Sequence, residues 1–465
     1  MTELADLTAL ALVEKFRSRE LSPVDVIESV IRRANAWEPK LNALWAYDPE
    51  CALEAARQSE ARWAKGQPLG AIDGVPVTIK ENVATKGVPV PLGCAAVTLV
   101  PAKADSPPAA RTREAGGVIF AKTTMPDYGM LSSGLSSFHK LARNPWLLSA
   151  NPGGSSAGAA VASAAGYGPL HIGTDIGGSI RLPSGWCGLV GLKPSAGRLP
   201  IDPPFIGRAA GPMTRTVADA ALYMSVLTKP DRRDTMALPY EAIDWLDLDR
   251  SLRGLKFGLW MEAGFGQTVG RETVTAVQDA ASALKEAGAT IVPIQPFLTR
   301  TMIDGLDRFW RARGYEDVLR LTPEQQAKIL PYIFEWIVTA KGFSGRDVYT
   351  GFAQIEAMRN ALHGALDGVD YIISPTAPEP AYPAEWASPY NDPERPFEHI
   401  AFTVSANMGG QPALTINCGY SGNGLPIGMQ IIGQSFDDLG VLRVARAFEQ
   451  IRAPQRPWPR LADSG

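Results

Sequence analysis

The chain has 465 residues, 45% hydrophobic and 20% charged, with 45 Lys plus Arg against 48 Asp plus Glu. That balance excludes a disordered chain and supplies material for a large buried core. The lack of cation clusters argues against a nucleic-acid partner, and the lack of an apolar run of about 18 residues argues against a membrane span.

Four scattered cysteines, Cys51, Cys94, Cys187 and Cys418, form no CxxC pair. That usage fits a reducing compartment and offers neither a disulfide frame nor a thiolate metal site. The four histidines, His139, His171, His363 and His399, form no HExxH motif. No metal or cofactor is expected. The start, MTELADLTALALVEKF, is acidic and amphipathic and lacks the basic-then-apolar pattern of a leader. A soluble cytoplasmic protein is the expectation.

Taken in chain order, Ser22-Pro23 supplies an N-cap and an N1 proline, and Ile27, Val30, Ile31 and Ala34 repeat on one helical face. Residues 1–65 therefore read as a helical arm packed on the core. Gly74 to Lys80 reads as a buried strand that delivers a lysine at its end, and Gly117 to Ala121 as a second buried strand. From Asn151 to Pro194 the composition shifts to Gly, Ser and Ala. Beyond Thr228, Leu255 to Trp260 reads as a strand. Val274, Val277, Ala281 and Leu284 form a helix face stopped by Gly288, and Ala289 to Ile294 form another strand. Tyr371 to Thr376, GGQPALTI and GLPIGMQIIG add strands of the same sheet. There is no internal repeat and no Gly/Ser linker that cuts the chain.

The glycine-rich segment points to chemistry. Glycine inside a helix or strand costs about 0.5–1 kcal/mol relative to alanine, so its density there requires another reason, such as close backbone approach to a ligand. In Gly177-Gly178-Ser179 the two glycines leave the backbone free to turn the amides of Ile176, Gly177, Gly178 and Ser179 toward one point, an oxyanion hole beside a serine nucleophile. A second loop, Gly153-Gly154-Ser155-Ser156, lies upstream, and Lys80 ends its strand earlier still. Two serines and a lysine suffice for a proton relay.

The linked motifs GVPVTIKEN, PGGSSAG, GTDIGGSIRLP and CGLVGLKP, in that order, resemble the amidase signature family from about Gly70 to Thr228. Weaker echoes occur in the N-terminal helices and in GLPIGMQIIG. The resemblance implies an α/β/α sandwich around a large mixed sheet, folded as a single compact domain over residues 66–465. Its signature core would cover about 70–228, a variable pocket region 229–400 and returning strands 401–465. It also implies a Ser-Ser-Lys triad: Ser179 as nucleophile, Ser155 as bridging serine after a cis peptide, and Lys80 as base. The reaction implied is hydrolysis of a carboxylic amide through an acyl-enzyme. For Lys80 to accept a proton, burial or cationic neighbours must lower its pKa from about 10.4.

Other residues carry rival readings. Asp175 and Arg181 are expected to hold the glycine loop, and His171, in the apolar PLHIGT, to be a packed core histidine. Gly154 to Gly158 fits GxSxG with Ser156 as nucleophile, but Asn151-Pro152 precede it where that motif needs a strand. Ser137 to Lys140 fits SxxK without the SDN or KTG that should follow, and Cys187 sits in an apolar segment without a base.

For the substrate pocket, Gly129 and Met130 are the candidates. Asp127-Tyr128 stands where family members often carry Glu-Phe, a change of packing. Trp310, Trp336, Phe343 and Trp386 are candidate walls of an apolar pocket that favours aryl or alkyl amides over highly charged ones. The expected partners are a small amide and water. Size and family habit point to a homodimer, without nucleic acid or membrane. Two alternatives stand beside the stand-alone hydrolase. One is the amidase subunit of a glutamine-dependent tRNA amidotransferase, disfavoured because residues 300–365 show nothing like its glutamine-binding stretch. The other is a non-catalytic family scaffold, disfavoured because Lys80, Ser155 and Ser179 are all present.

Overall fold

The computed structural model describes residues 3–460. Its frame is one mixed sheet of eleven strands. They are β1 (Leu44–Trp45), β2 (Pro76–Lys80), β3 (Val118–Thr123), β4 (Leu170–Asp175), β5 (Val190–Lys193) and β6 (Ala209–Thr214). The rest are β7 (Lys256–Leu259), β8 (Thr290–Pro293), β9 (Tyr371–Pro375), β10 (Ala413–Tyr420) and β11 (Pro426–Gly433). The spatial order is β1-β3-β2-β4-β6-β5-β10-β11-β9-β7-β8. Parallel ladders at β3-β2-β4 and β9-β7-β8 flank an antiparallel centre.

The strands expected from apolar runs are all present, most with ends shifted by one or two residues. They read as continuous apolar runs because both faces are covered. On β9, Tyr371 and Ile373 enter one core while Ile372 enters the other. On β11, Ile431 and Ile432 divide the same way. This period of two places one helical layer on each face, which makes the α/β/α sandwich. One layer holds the helices Val217–Leu227, Arg271–Glu286 and Asp438–Ile451. The other holds Arg300–Leu319, Pro331–Val338 and Gly345–Ala365.

The N-terminal helices Ala9–Ser18, Pro23–Leu41 and Pro49–Ala64 pack as an amphipathic layer. Ser22 caps the second of them, accepting from Val24 N at 3.0 Å, with Asp25 completing a capping box. Ile27, Val30 and Ala34 are buried there and Ile31 is half-buried. This segment does more than pack: Leu44–Trp45 extends the sheet as edge strand β1 against β3. Among the described residues no helix is long and apolar enough to cross a membrane.

The glycine-rich segment lies at the sheet's centre. The helix Ala157–Ala165 is buried along its whole length, which its run of small residues permits. It leads into β4, and β4 ends directly at the loop carrying Gly177 to Ser179. Parallel pairing of β4 with β2 aligns their C-terminal ends, so Lys80 and the loop after Asp175 meet at one edge of the sheet.

Candidate active site

Lys80 is 0% exposed. Its Nζ lies 2.7 Å from Ser155 Oγ, 3.0 Å from Ser156 Oγ and 3.0 Å from Thr174 Oγ1. Burial drives its pKa well below the ordinary lysine range, Arg208 pushes the same way, and Asp175 and Glu81 oppose them. The bonding partners are neutral oxygens, the environment that a neutral amine needs.

Ser155 follows a cis Gly154–Ser155 peptide and faces a cavity of about 550 Å³ that Ser179 also lines. Ser156 N donates to Ser179 O at 3.2 Å, which ties the two serine loops together. Among the described residues no hydrogen bond joins the hydroxyls of Ser155 and Ser179; both hydroxyl-bearing residues border the cavity.

The amides of the Ser179 loop divide in a way the sequence does not reveal. Gly178 N donates to Asp175 Oδ1 at 2.7 Å and Ile180 N donates to Asp175 Oδ2 at 3.1 Å. The amides of Ile176, Gly177 and Ser179 find no acceptor among the described residues. Of the four amides expected to act together, Gly178 N is thus engaged with Asp175, and the other three have no acceptor. Gly178 must be glycine all the same: its φ is 130°, and an added Cβ would lie 2.5 Å from Thr403 Oγ1.

Asp175 and Arg181 act as expected. Both side chains are fully buried and joined twice, Nε to Oδ2 at 3.0 Å and Nη2 to Oδ1 at 3.1 Å. Burial would raise the Asp175 pKa, but Arg181, Asn407 and backbone amides together hold it far below the usual carboxylate range. Arg181 Nη1 also donates to Thr403 O at 2.8 Å and Gln430 Oε1 at 2.6 Å. Asn407 and Gln430 give no signal in the sequence, since they come from the far end of the chain with no local motif. Thr174, which takes Lys80 Nζ, sits inside GTDIGGS, so its place beside the Ser179 loop is the signal that marks it.

Removing one member of such a buried pair strands the other charge, at about 3–5 kcal/mol. The variant Asp175→Ala is therefore expected to lose that much in urea unfolding and to lose activity with it, because the loop's tether goes too. A loss below about 1 kcal/mol would contradict this role for Asp175.

The rival readings find structural explanations. His171 Nδ1 lies 2.7 Å from Thr78 Oγ1 and its Nε2 lies 2.9 Å from Gly168 O, a satisfied core histidine whose pKa burial lowers to about 3. Ser156 donates to Thr174 O at 3.1 Å and stands behind Lys80, away from the cavity lining. Ser137 is occupied by Asp127, at 2.7 Å from both its N and its Oγ. Asp127 also takes Leu330 N at 3.1 Å, while Tyr128 lines the cavity. Cys187 is buried, and burial pushes its thiol pKa far up, opposite to a thiolate nucleophile.

Gly129 and Met130 both line the cavity. Gly129 has φ 69°, and a Cβ there would approach Ser155 Oγ to 3.3 Å and Met125 Cε to 3.0 Å, so glycine leaves the Ser155 hydroxyl open. Trp310 and Trp336 form aromatic walls, each set edge-on to Phe397 with centroids 5.0 and 5.2 Å apart. Phe343 and Trp386 do not line the cavity. Phe343 stands at the junction of two helices, and Trp386 is 39% exposed.

The sequence model of the Amidase family matches residues 25–442, and the chain belongs to this family, that of the amidase signature enzymes. As such it is an amidase, a hydrolase of carbon–nitrogen amide bonds. It is similar to the A-subunit of the glutamyl-tRNA(Gln) amidotransferase of Myxococcus xanthus, at 33% identity over 96% of this chain and 98% of that one. The corresponding protein of Chloroflexus aggregans is 32% identical over 97% of each. Among solved structures it is similar to a bacterial aryl acylamidase of the amidase signature family, with TM-score 0.88, 30% identity and 96% of both chains covered. It is also similar to the peptide amidase of Stenotrophomonas maltophilia, with TM-score 0.83, 27% identity and 98% of both chains covered.

Proposed function

We propose that the protein hydrolyses a carboxylic amide through an acyl-enzyme on Ser179, with Ser155 as proton shuttle and Lys80 as general base. The observation that carries this reading is the buried Lys80 Nζ, 2.7 Å from the Oγ of Ser155, which lines one cavity together with Ser179. Neutral Lys80 takes the Ser155 proton as Ser155 takes that of Ser179, and Ser179 Oγ bonds to the carbonyl carbon. The amides of Ile176, Gly177 and Ser179 donate to the resulting oxyanion. The C–N bond breaks as Ser155 protonates the leaving nitrogen and Lys80 returns its proton to Ser155. Water then cleaves the ester by the same relay run again.

The chain is read as a stand-alone cytoplasmic hydrolase, alone or as a homodimer. The apolar walls of Trp310, Trp336 and Phe397 favour a substrate with an apolar body. A second reading, amidase subunit of a tRNA amidotransferase, is favoured by the names of the curated relatives. Ammonia or amine release by the purified chain from aliphatic, aryl and amino-acid amides, glutamine included, tests both. Turnover of simple amides without a partner supports the stand-alone enzyme. Release confined to glutamine and dependent on added partner subunits supports the second reading.

A further inference from the structure

The cavity wall holds a cation that the relay does not use. Arg208 lines the cavity, and among the described residues its side chain makes one hydrogen bond, from Nη1 to Pro203 O at 3.0 Å. No carboxylate of the described residues lies within 4.0 Å of it. Arg33, Arg181, Arg198 and Arg215 differ: with side chains 8%, 0%, 7% and 11% exposed, each bridges a carboxylate. Half-buried on the cavity wall, the Arg208 guanidinium keeps N–H donors that no described residue takes up and that an entering anion would complete.

Its position says what would. Ala209 on β6 is the register partner of Asp175 on β4, and the strands are antiparallel. Arg208, one residue before Ala209, therefore runs beside Ile176, one residue after Asp175 and the first amide without an acceptor. Arg208 and the Ser179 loop thus border the same cavity from neighbouring strand ends. Arg313, whose guanidinium stands 4.5 Å from the Phe205 ring centroid, adds a second cation on the same wall. Burial and Arg313 both act against the Arg208 charge, with Asp202 opposing, so a bound anion relieves the site. Asp202 and Asp317 also line the cavity, and neither pairs with Arg208.

We infer that Arg208 is a specificity-determining residue that binds a carboxylate on the acyl part of the substrate, close to the amide being cleaved. The inference rests on the amidase reading of Ser179 and amends the expectation of aryl or alkyl amides over highly charged ones: the substrate has a body that fits apolar walls and one carboxylate. The guanidinium fork suits a carboxylate, which it can bind through two parallel hydrogen bonds.

The test compares glutaramate with pentanamide, amides of similar length with and without the carboxylate, in wild type, Arg208→Gln and Arg208→Lys. Wild type is expected to favour glutaramate by roughly tenfold or more in kcat/KM, the effect of one well-made charged contact. Arg208→Gln is expected to lose about that much of the preference, mostly in KM, and Arg208→Lys to recover part. Glutarate should protect Ser179 of wild type from a fluorophosphonate probe and fail to protect it in Arg208→Gln, a readout independent of turnover. Equal use of the two amides by wild type, or an unchanged ratio in Arg208→Gln, overturns the role of Arg208 and leaves the amidase reading intact. Absence of both turnover and Ser179 labelling in wild type overturns the reading beneath it.

Discussion

Replacing Ser179 with alanine is expected to lower amide turnover by roughly 10⁴- to 10⁶-fold while substrate still binds. The variant keeps the cavity and the three unengaged amides of Ile176, Gly177 and residue 179, so a small residual rate over water should survive through oxyanion stabilisation. Stability should change little, because the hydroxyl makes no hydrogen bond among the described residues and the side chain is only half-buried. Steady-state kinetics with thermal unfolding in parallel checks both. A variant that keeps wild-type turnover removes Ser179 and leaves Ser155 as the nucleophile that lines the cavity beside the lysine.

Lys80→Ala is expected to cost about 10²- to 10⁴-fold in kcat/KM, the usual contribution of a positioned base. The pH dependence is the sharper signature. In wild type the amine must be neutral to work, so activity falls as pH drops through its depressed pKa and is level above it. The alanine variant should lack that limb. The same depression costs the fold stability below the ordinary lysine value, because the unfolded chain holds the proton more tightly than the folded chain, and the cost fades as pH rises toward that value. An identical acidic limb in the variant would assign that titration to another group. Alanine is a better probe than arginine, which stays cationic in the same space.

How far the site can be read from the sequence depends on whether each part is local. Lys80, Ser155 and Ser179 stand in short motifs, since strand ends and glycine loops have composition signatures, and the sheet-forming runs are visible because central strands are apolar on both faces. The fate of each loop amide is not visible. Gly178 looks equivalent to its neighbours, and only the return of Asp175 onto it singles it out. Arg208 carries no signal either, because its meaning comes from the β4–β6 register and from the lack of a carboxylate partner among the described residues. Trp386 and Phe343 depart from expectation for a similar reason: aromatic residues in a variable stretch announce burial, but which cavity they border is decided by helix packing. Asn407 and Gln430 reach Arg181 from positions 226 and 249 residues away in sequence.

The most direct measurement of the central claim is rapid-quench mass spectrometry of the enzyme during turnover of an aryl amide, with peptide mapping of the adduct. An acyl group in ester linkage on Ser179, formed and lost at rates that account for kcat, is the predicted result. An adduct on Ser155, Ser156 or Cys187, or turnover with no acyl-enzyme at any time, would contradict it.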